Sequence, residues 1–544
     1  MSIAGLVPTI VFLVFALAMA LIARRRARAA AGAQEGGFAK EYFIGSRSLG
    51  AFVLAMTTIA TYGSVSSFVS GPGQAWQIGW GWVYMAGVQV TALILLYGIM
   101  GKTMALVSRK LGAVTVIDVL RARFGSNTLA YAGAIIIVVF FATQIIAQFV
   151  GGAKLFSYVT GYSSTVGLAI FGIAVILFTS IGGFRGVAIT DALCGIAMLV
   201  GIAVLAGGIL QAGGGYDTVM TTIETNHPEL LDPLSNGNMP IGLYFTQWLL
   251  VGVFTFALPQ SAVRTMGFKN TKALHGAMVW GTVIAGVMMI GVTALGVLSA
   301  GVLTEPLEAY GGSVDNIIPQ AIVSTLPPWL AGIAIIGPIA ASISTVSSLL
   351  IASSSAIVKD MWLHRAAAQG RTVPDRRVAT SSQIITLGIG VVVFVLSIVP
   401  PDIIWKINMF AFGGLETAFV WVFLGTLFFK RVTRAGAVAS MIGGTAAYCI
   451  AMATGFKIAG LHQITIGLTV ALALIIIVSL ATKPSAEERA AYPVFFPEKE
   501  SDATTSQVDV PPTGALDDAM ASQVDVPLDA DAPLSEDSVP SGGD

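Results

Sequence analysis

Residues 337–360, GPIAASISTVSSLLIASSSAIVKD, decide how the rest of the chain is read. At about 1.5 Å per residue the stretch is long enough to cross a bilayer as a tilted helix, yet it is full of hydroxyls. Steps of three and four place Ala341, Ser344, Thr345, Ser348, Ala352 and Ser355 on one face, with Ile343, Val346, Leu350 and Ile357 on the remainder. A small, oxygen-bearing face serves one of two ends. Ser, Ala and Gly let helix backbones approach closely, their hydroxyls bonding back to the i−4 carbonyl. Alternatively, a hard alkali cation inside a membrane needs several oxygens and little bulk around it. Adjacent Ser344 and Thr345, with Ala341 one turn earlier, suit that second task.

The surrounding chain has the composition of a membrane interior. Of 544 residues, 55% are hydrophobic and 11% charged, the mean hydropathy is +0.82 and there are 61 glycines, a profile of polytopic membrane proteins. An apolar run over residues 5–23 is followed at once by Arg24, Arg25, Arg26 and Arg28. A cleaved signal carries its charges in the opposite order, so residues 1–28 are expected to be a retained leading helix with the amino end outside. Further apolar segments fall at 49–71, 78–100, 128–151, 164–182, 187–210, 241–262, 275–300, 329–357, 380–399, 403–429, 436–455 and 462–481, which makes thirteen spans of an all-α polytopic membrane protein. Threaded alternately, all but Lys154, Lys406 and Lys457 of the 29 Lys and Arg fall on the inner side. The positive-inside rule thus supports the thirteen-span thread with a cytoplasmic carboxyl end. Beyond Lys483 periodicity disappears, SQVDVP occurs at Ser506 and again at Ser522, and Asp, Pro and Ser dominate. Residues 484–544 are accordingly expected to be a disordered acidic cytoplasmic tail.

A few groups interrupt the apolar pattern. The 49–71 segment combines Ser and β-branched residues with Gly63, which predicts an interrupted helix near Ala60 to Ser67. Interruption frees carbonyls at membrane depth, and these must be satisfied by protein, water or an ion, so Ala60 and Gly63 are candidate main-chain ligands opposite Ser344 and Thr345. Gly71, Pro72 and Gly73 read as an exit loop. Asp191 and Glu416 are carboxylates inside predicted spans, costly enough to point to function. Asp191 is either a cation relay near an inner gate or the structural partner of Arg185. Glu416 follows Gly413 and Gly414, a pair able to break a helix, and reads equally as an ion-path residue, a helix-break cap or a protonated packing group. Gln89, Gln144, Gln148 and Asn408 are amides available to a polar substrate or to a neighbouring helix. Arg264 is placed at the cytoplasmic end of its span, where interfacial charge explains it. Cys194 and Cys449 lie in apolar segments and read as small buried residues, and no His, Cys and carboxylate grouping has metal-ligand spacing. There is no phosphate-binding loop, which argues against primary active transport by this chain alone, and nothing points to an enzyme or to a cofactor.

EYFIGSRSLGAFVLAMTTIATYGSVSSF with the GPG after it, GGFRGVAITD, LPQSAVRTMGFKNTKALHG and FGGLET together resemble the sodium:solute symporter family, and most closely its pantothenate-carrying branch. The resemblance covers roughly residues 1–482. It implies a LeuT-type core of two inverted five-helix repeats, 49–210 and 241–429, with one leading helix and two trailing helices at 436–482, in a bacterial-type cytoplasmic membrane. It further implies a sodium-coupled importer of a small organic carboxylate, with Na+ as coupling ion. Sodium would be held by main-chain oxygens of Ala60 and Gly63 and by Ala341, Ser344 and Thr345 of the eighth core helix, with Asp191 near the exit path. Tyr62 departs from the family, some members of which carry an acid in that part of the helix. By helix position Ser67, Gln148 and Asn408 would line the substrate cavity with Gln89 behind them, and no buried Arg or Lys is expected to meet the substrate carboxylate. A proton-driven symporter, a carrier of another solute such as proline, a monocarboxylate or sialic acid, and a transporter-like sensor or channel are the competing readings. The expected partners are the solute, sodium and lipid, with no nucleic acid and no obligate protein partner.

Overall fold

The computed structural model describes residues 49–497, the side chains of 159, 178, 181–189 and 375 excepted. The leading helix expected at 1–28, the tail from 498 onward and the side chain of Arg185 lie outside the described residues. Ten helices are long and apolar enough to cross a membrane, or eleven if one bent pair is counted as a span, among the described residues. Ser164–Leu177 is a shorter apolar helix.

In chain order, α1 (Ala51–Tyr62) and α2 (Ser66–Ile78) form the bent pair, meeting at 70°. There follow α3 (Trp80–Lys110), the short amphipathic α4 (Val116–Phe124), α5 (Asn127–Thr160) and α6 (Ser164–Ala212). The spans expected at 164–182 and 187–210 lie within that single 49-residue helical run. Its two ends pack on different partners: Phe171 and Gly172 against Phe149 and Phe394, Gly195 and Gly201 against Met56 and Gly337. Next come α7 (241–257) and α8 (Pro259–Met266), α9 (Thr271–Ser299), α10 (Pro328–Ala368), α11 (Asp375–Leu396), α12 (Ile404–Phe428), α13 (Arg434–Thr454) and α14 (Ile464–Ala481).

Burial sorts these helices into centre and periphery. The apolar stretches of α10 and α12 are 83% buried, whereas that of α11 is 28% buried. The central helices carry the small and polar residues, and the peripheral ones turn apolar stripes outward, as at Val279, Val283 and Val287 of α9. Close crossing depends on a residue without bulk: a Cβ at Gly201 in α6 would come within 2.9 Å of the Ala334 carbonyl oxygen and 3.0 Å of the Gly337 Cα in α10, so a side chain there would push the helices apart. Gly79, at φ +89°, turns the chain between α2 and α3 where a Cβ would overlap the Leu230 backbone.

Several expectations need correction. Gly71, Pro72 and Gly73 are not a loop; they lie within α2, and Gly73 is small because the Val314 carbonyl rests on it. Gly413 and Gly414 do not break α12, which continues to Phe428; they admit Tyr448 and Phe140 against the helix backbone. Residues after 484 are not all disordered. Ser485 and Glu488 form a capping box for α15 (Ala486–Ala490), which leads into α16 (Tyr492–Phe495). This segment is fixed by the Tyr492 hydroxyl donating to the Lys430 carbonyl (2.8 Å), by buried Phe495, and by Tyr492 and Phe496 against the Arg123 guanidinium.

Candidate functional site

Tyr62 ends α1, Gly63 is extended (φ −71°, ψ 104°) and the helix restarts at Ser66. Carbonyls at the end of a helix have no intrahelical donor, and here they face α10. Ser344 Oγ lies 2.7 Å from the Ala60 carbonyl oxygen and 3.1 Å from that of Ala341. Thr345 Oγ1 lies 3.4 Å from the Gly63 carbonyl oxygen. All five residues are buried. The hydroxyl stripe of α10 and the break of the first helix therefore meet, and their oxygens converge without a charged side chain among them.

The break is held open by an amide from α5. Gln148 Oε1 accepts the Val65 N–H at 2.9 Å, and the Ser342 hydroxyl donates to the Gln148 carbonyl at 2.9 Å. Gln148 Nε2 and Asn408 Oδ1 are buried without a hydrogen-bond partner among the described residues. Ser67 is partly exposed just past the break. Three residues on from Ser67, the Ser70 hydroxyl accepts the Trp405 N–H at 3.1 Å, bringing α2 to the start of α12 and hence near Asn408. Gln89 is buried on α3 and shares no hydrogen bond with the other three, among the described residues.

One helical turn from the cluster, polar contacts continue toward the α4 side of the molecule. Thr61 Oγ1 and Ser348 Oγ are 3.4 Å apart. Beyond them Arg264, only 2% exposed, inserts from α8: its Nη2 donates to Ser348 Oγ (2.7 Å) and to Asp191 Oδ2 (3.1 Å), and its Nη1 donates to Thr57. Thr57 also donates to Asp191 Oδ2 at 2.8 Å. Arg264 is thus not an interfacial charge. The helix carrying it is interrupted at Leu258 (ψ 127°) ahead of Pro259, and Pro259–Met266 beyond the interruption is largely buried. Thr57, Ser348 and Arg264 are the residues that sequence reasoning missed, although Ser348 belongs to the quoted stripe and Thr57 sits one turn before Ala60. Arg264 and Ser348 also line a cavity of about 50 Å³, which extends between α5, α8 and α10 to Thr115 and Asp360.

On the opposite side of the break the way is shut. Asp315, fully buried in the segment before α10, takes Lys154 Nζ at 2.9 Å and the Ile404 N–H at 3.2 Å, tying α5 to α12. Trp82 and Trp405 pack edge to face with centroids 5.0 Å apart. Glu416 is also fully buried, one helix away on α12, and neither carboxylate oxygen has a partner among the described residues.

Two interrupted helices beside a hydroxylated helix, with a buried oxygen cluster where they meet, are the arrangement of a secondary transporter. The chain belongs to the sodium:solute symporter family, whose sequence profile matches residues 42–444. It is 35% identical over 465 residues to the sodium/pantothenate symporter of Haemophilus influenzae, covering 85% of this chain and 93% of that one. It is likewise 35% identical over 483 residues to the sodium/pantothenate symporter of Escherichia coli, covering 87% and 95%. Its fold is that of a solved sodium-coupled sialic acid symporter, with a TM-score of 0.75 over 89% of this chain and 99% of that one, at 17% identity.

Proposed function

We propose that this chain imports pantothenate across a bacterial cytoplasmic membrane by sodium-coupled alternating access. The convergence of the Ala60, Gly63 and Ala341 main chain with Ser344 and Thr345 is the observation that carries the reading. A sodium ion takes the place of the hydroxyl-to-carbonyl hydrogen bonds, drawing its ligands from carbonyls that a continuous helix would have consumed. The ion joins α1, in the first proposed repeat (49–210), to α10, in the second (241–429). Because the two repeats must move relative to one another for access to alternate, an ion bridging them has different affinity in the two states, which is the condition for coupling.

The substrate binds beside the break, near Ser67, with Gln148 Nε2 and Asn408 Oδ1 offering one donor and one acceptor to its amide and hydroxyls. Gln89 supports the cavity from behind. The amino end lies outside and the α4 face in the cytoplasm, so the Asp315 and Trp405 contacts close the outer path while the cavity by Arg264 is the inner vestibule. Sodium leaves along Thr61 and Ser348 and meets the Asp191–Arg264 pair, which must part for the ion to pass. Asp191 then offers the departing cation a carboxylate while Arg264 swings toward the vestibule. One sodium with one monoanionic pantothenate would by themselves move no net charge, and any further cation carried in the cycle would make transport respond to the membrane potential.

The test is uptake of labelled pantothenate into proteoliposomes with sodium replaced by choline at fixed pH. Uptake should require sodium and be competed by excess unlabelled pantothenate, with proline, lactate and sialic acid as the panel that decides among solutes.

A further inference from the structure

The mechanism above leaves Glu416 unused. It is fully buried on α12, and among the described residues both carboxylate oxygens lack a hydrogen-bond partner and no lysine, arginine or histidine pairs with it. The titratable groups that sense its charge are two phenols, Tyr62 at the end of α1 and Tyr448 of α13. Of the other neighbours of α12, α5 packs Phe140 on Gly414 and commits Lys154 to Asp315, α14 and residues 249–257 and 66–70 contain no ionisable side chain, and α4 and α16 bring Asp118, Arg121, Arg123 and Tyr492, with Arg121 donating to the Asp360 carbonyl. The guanidinium of Arg123 meets the carbonyls of Lys430 and Val432, beyond the end of α12, about 20 Å along the chain axis from Glu416.

A carboxylate so placed needs a cation, because an unpaired ion in a membrane interior is expensive. Sodium does not suit the position. A hard metal ion requires several oxygens, and α12 runs unbroken through Glu416, so its carbonyls are committed to the helix. A proton needs a single lone pair and no space. The position also couples to the moving parts. α12 packs against both broken regions, 66–70 and 254–257, and Asn408 lies two turns up the same helix.

We propose that Glu416 is a proton-binding site and that a proton crosses with sodium and substrate in each cycle. The carboxylate takes the proton from outside water, forming an O–H bond, and gives it up to cytoplasmic water after the broken helices have moved; no electrons are transferred. The inference rests on the reading of the chain as a pantothenate symporter for its cargo.

The experiment uses the full-length protein in liposomes loaded with a pH-sensitive dye, clamped at zero potential, with labelled pantothenate and a sodium gradient; protein-free liposomes correct for leak. If the wild type shows no sodium-driven uptake, the reading of the cargo fails. If it takes up pantothenate, about one proton should enter per molecule, and in Glu416→Gln this ratio should fall to near zero at whatever rate remains. A wild-type ratio near zero, or a ratio unchanged in Glu416→Gln, overturns the proposal. Infrared difference spectra of the same two proteins provide a readout independent of turnover. The carbonyl stretch of a protonated carboxyl should be present in the wild type and missing from Glu416→Gln, and its persistence in the variant counts equally against the assignment.

Discussion

Ser344 and Thr345 are buried hydroxyls whose nearest acceptors are carbonyls at a helix break, and this makes their contribution measurable apart from folding. Replacing either by Ala removes one oxygen ligand, and at Thr345 one methyl group besides, leaving a helix-favouring residue. A hydrogen bond or dipole contact to a charged group contributes about 1.5–3 kcal/mol, so each variant should raise the half-saturating sodium concentration for uptake by roughly 10- to 100-fold while expression stays unchanged. Normal uptake by both variants at low sodium would place the ion elsewhere. The Asp191–Arg264 pair calls for a different design, because removing one partner leaves the other charge buried. Asp191→Asn or Arg264→Gln alone should cost roughly 3–5 kcal/mol of stability, whereas the double variant should recover much of the thermal stability in detergent without recovering normal coupling. Equal losses in the single and double variants would mean that the two side chains do not interact.

At the scale of elements, the outer closure depends on Lys154 of α5 reaching Asp315, which also holds the first turn of α12. Lys154→Met keeps the length of the side chain and deletes its charge. Ser67→Cys, just past the break, should then be labelled from outside by an impermeant maleimide several-fold faster in the Lys154→Met background than alone. An unchanged rate would mean that Lys154 does not help hold the path shut. The same elements show what the sequence discloses. The break at Gly63 and the hydroxyl face of α10 were legible because both are local: a glycine among Ser and β-branched residues, and a periodicity of three and four. The break at Leu258 was carried only by Pro259, which a hydropathy window absorbs into one span. Arg264 looked interfacial because Lys269 and Lys272 follow it; its burial depends on Asp191, 73 residues earlier, and no local pattern contains that partner. Gly413 and Gly414 misled for the converse reason, since their smallness serves Tyr448 and Phe140, which come from other helices. The helices after 484 carried a readable signal in Ser485 and Glu488, outweighed by the Pro- and Asp-rich residues beyond them.

For the molecule as a whole, two broken helices supply polar backbone at the centre while the surrounding helices keep an apolar exterior, so the central oxygens can be exchanged between protein and ion without exposing backbone to lipid. One side of that centre is closed by Asp315 and Trp405, and on the other the Asp191–Arg264 pair stands between it and a small cavity. A solute that enters from one side and leaves by the other therefore passes the proposed ion site in every cycle. Sodium held at the Gly63 break is the central claim, and the most direct test is concentrative uptake of labelled pantothenate by the purified protein in liposomes, driven by a sodium gradient alone. The account predicts accumulation above the external concentration that collapses when sodium is equal on both sides or replaced by choline. Accumulation of the same extent in choline, or mere equilibration with a sodium gradient in place, would contradict it.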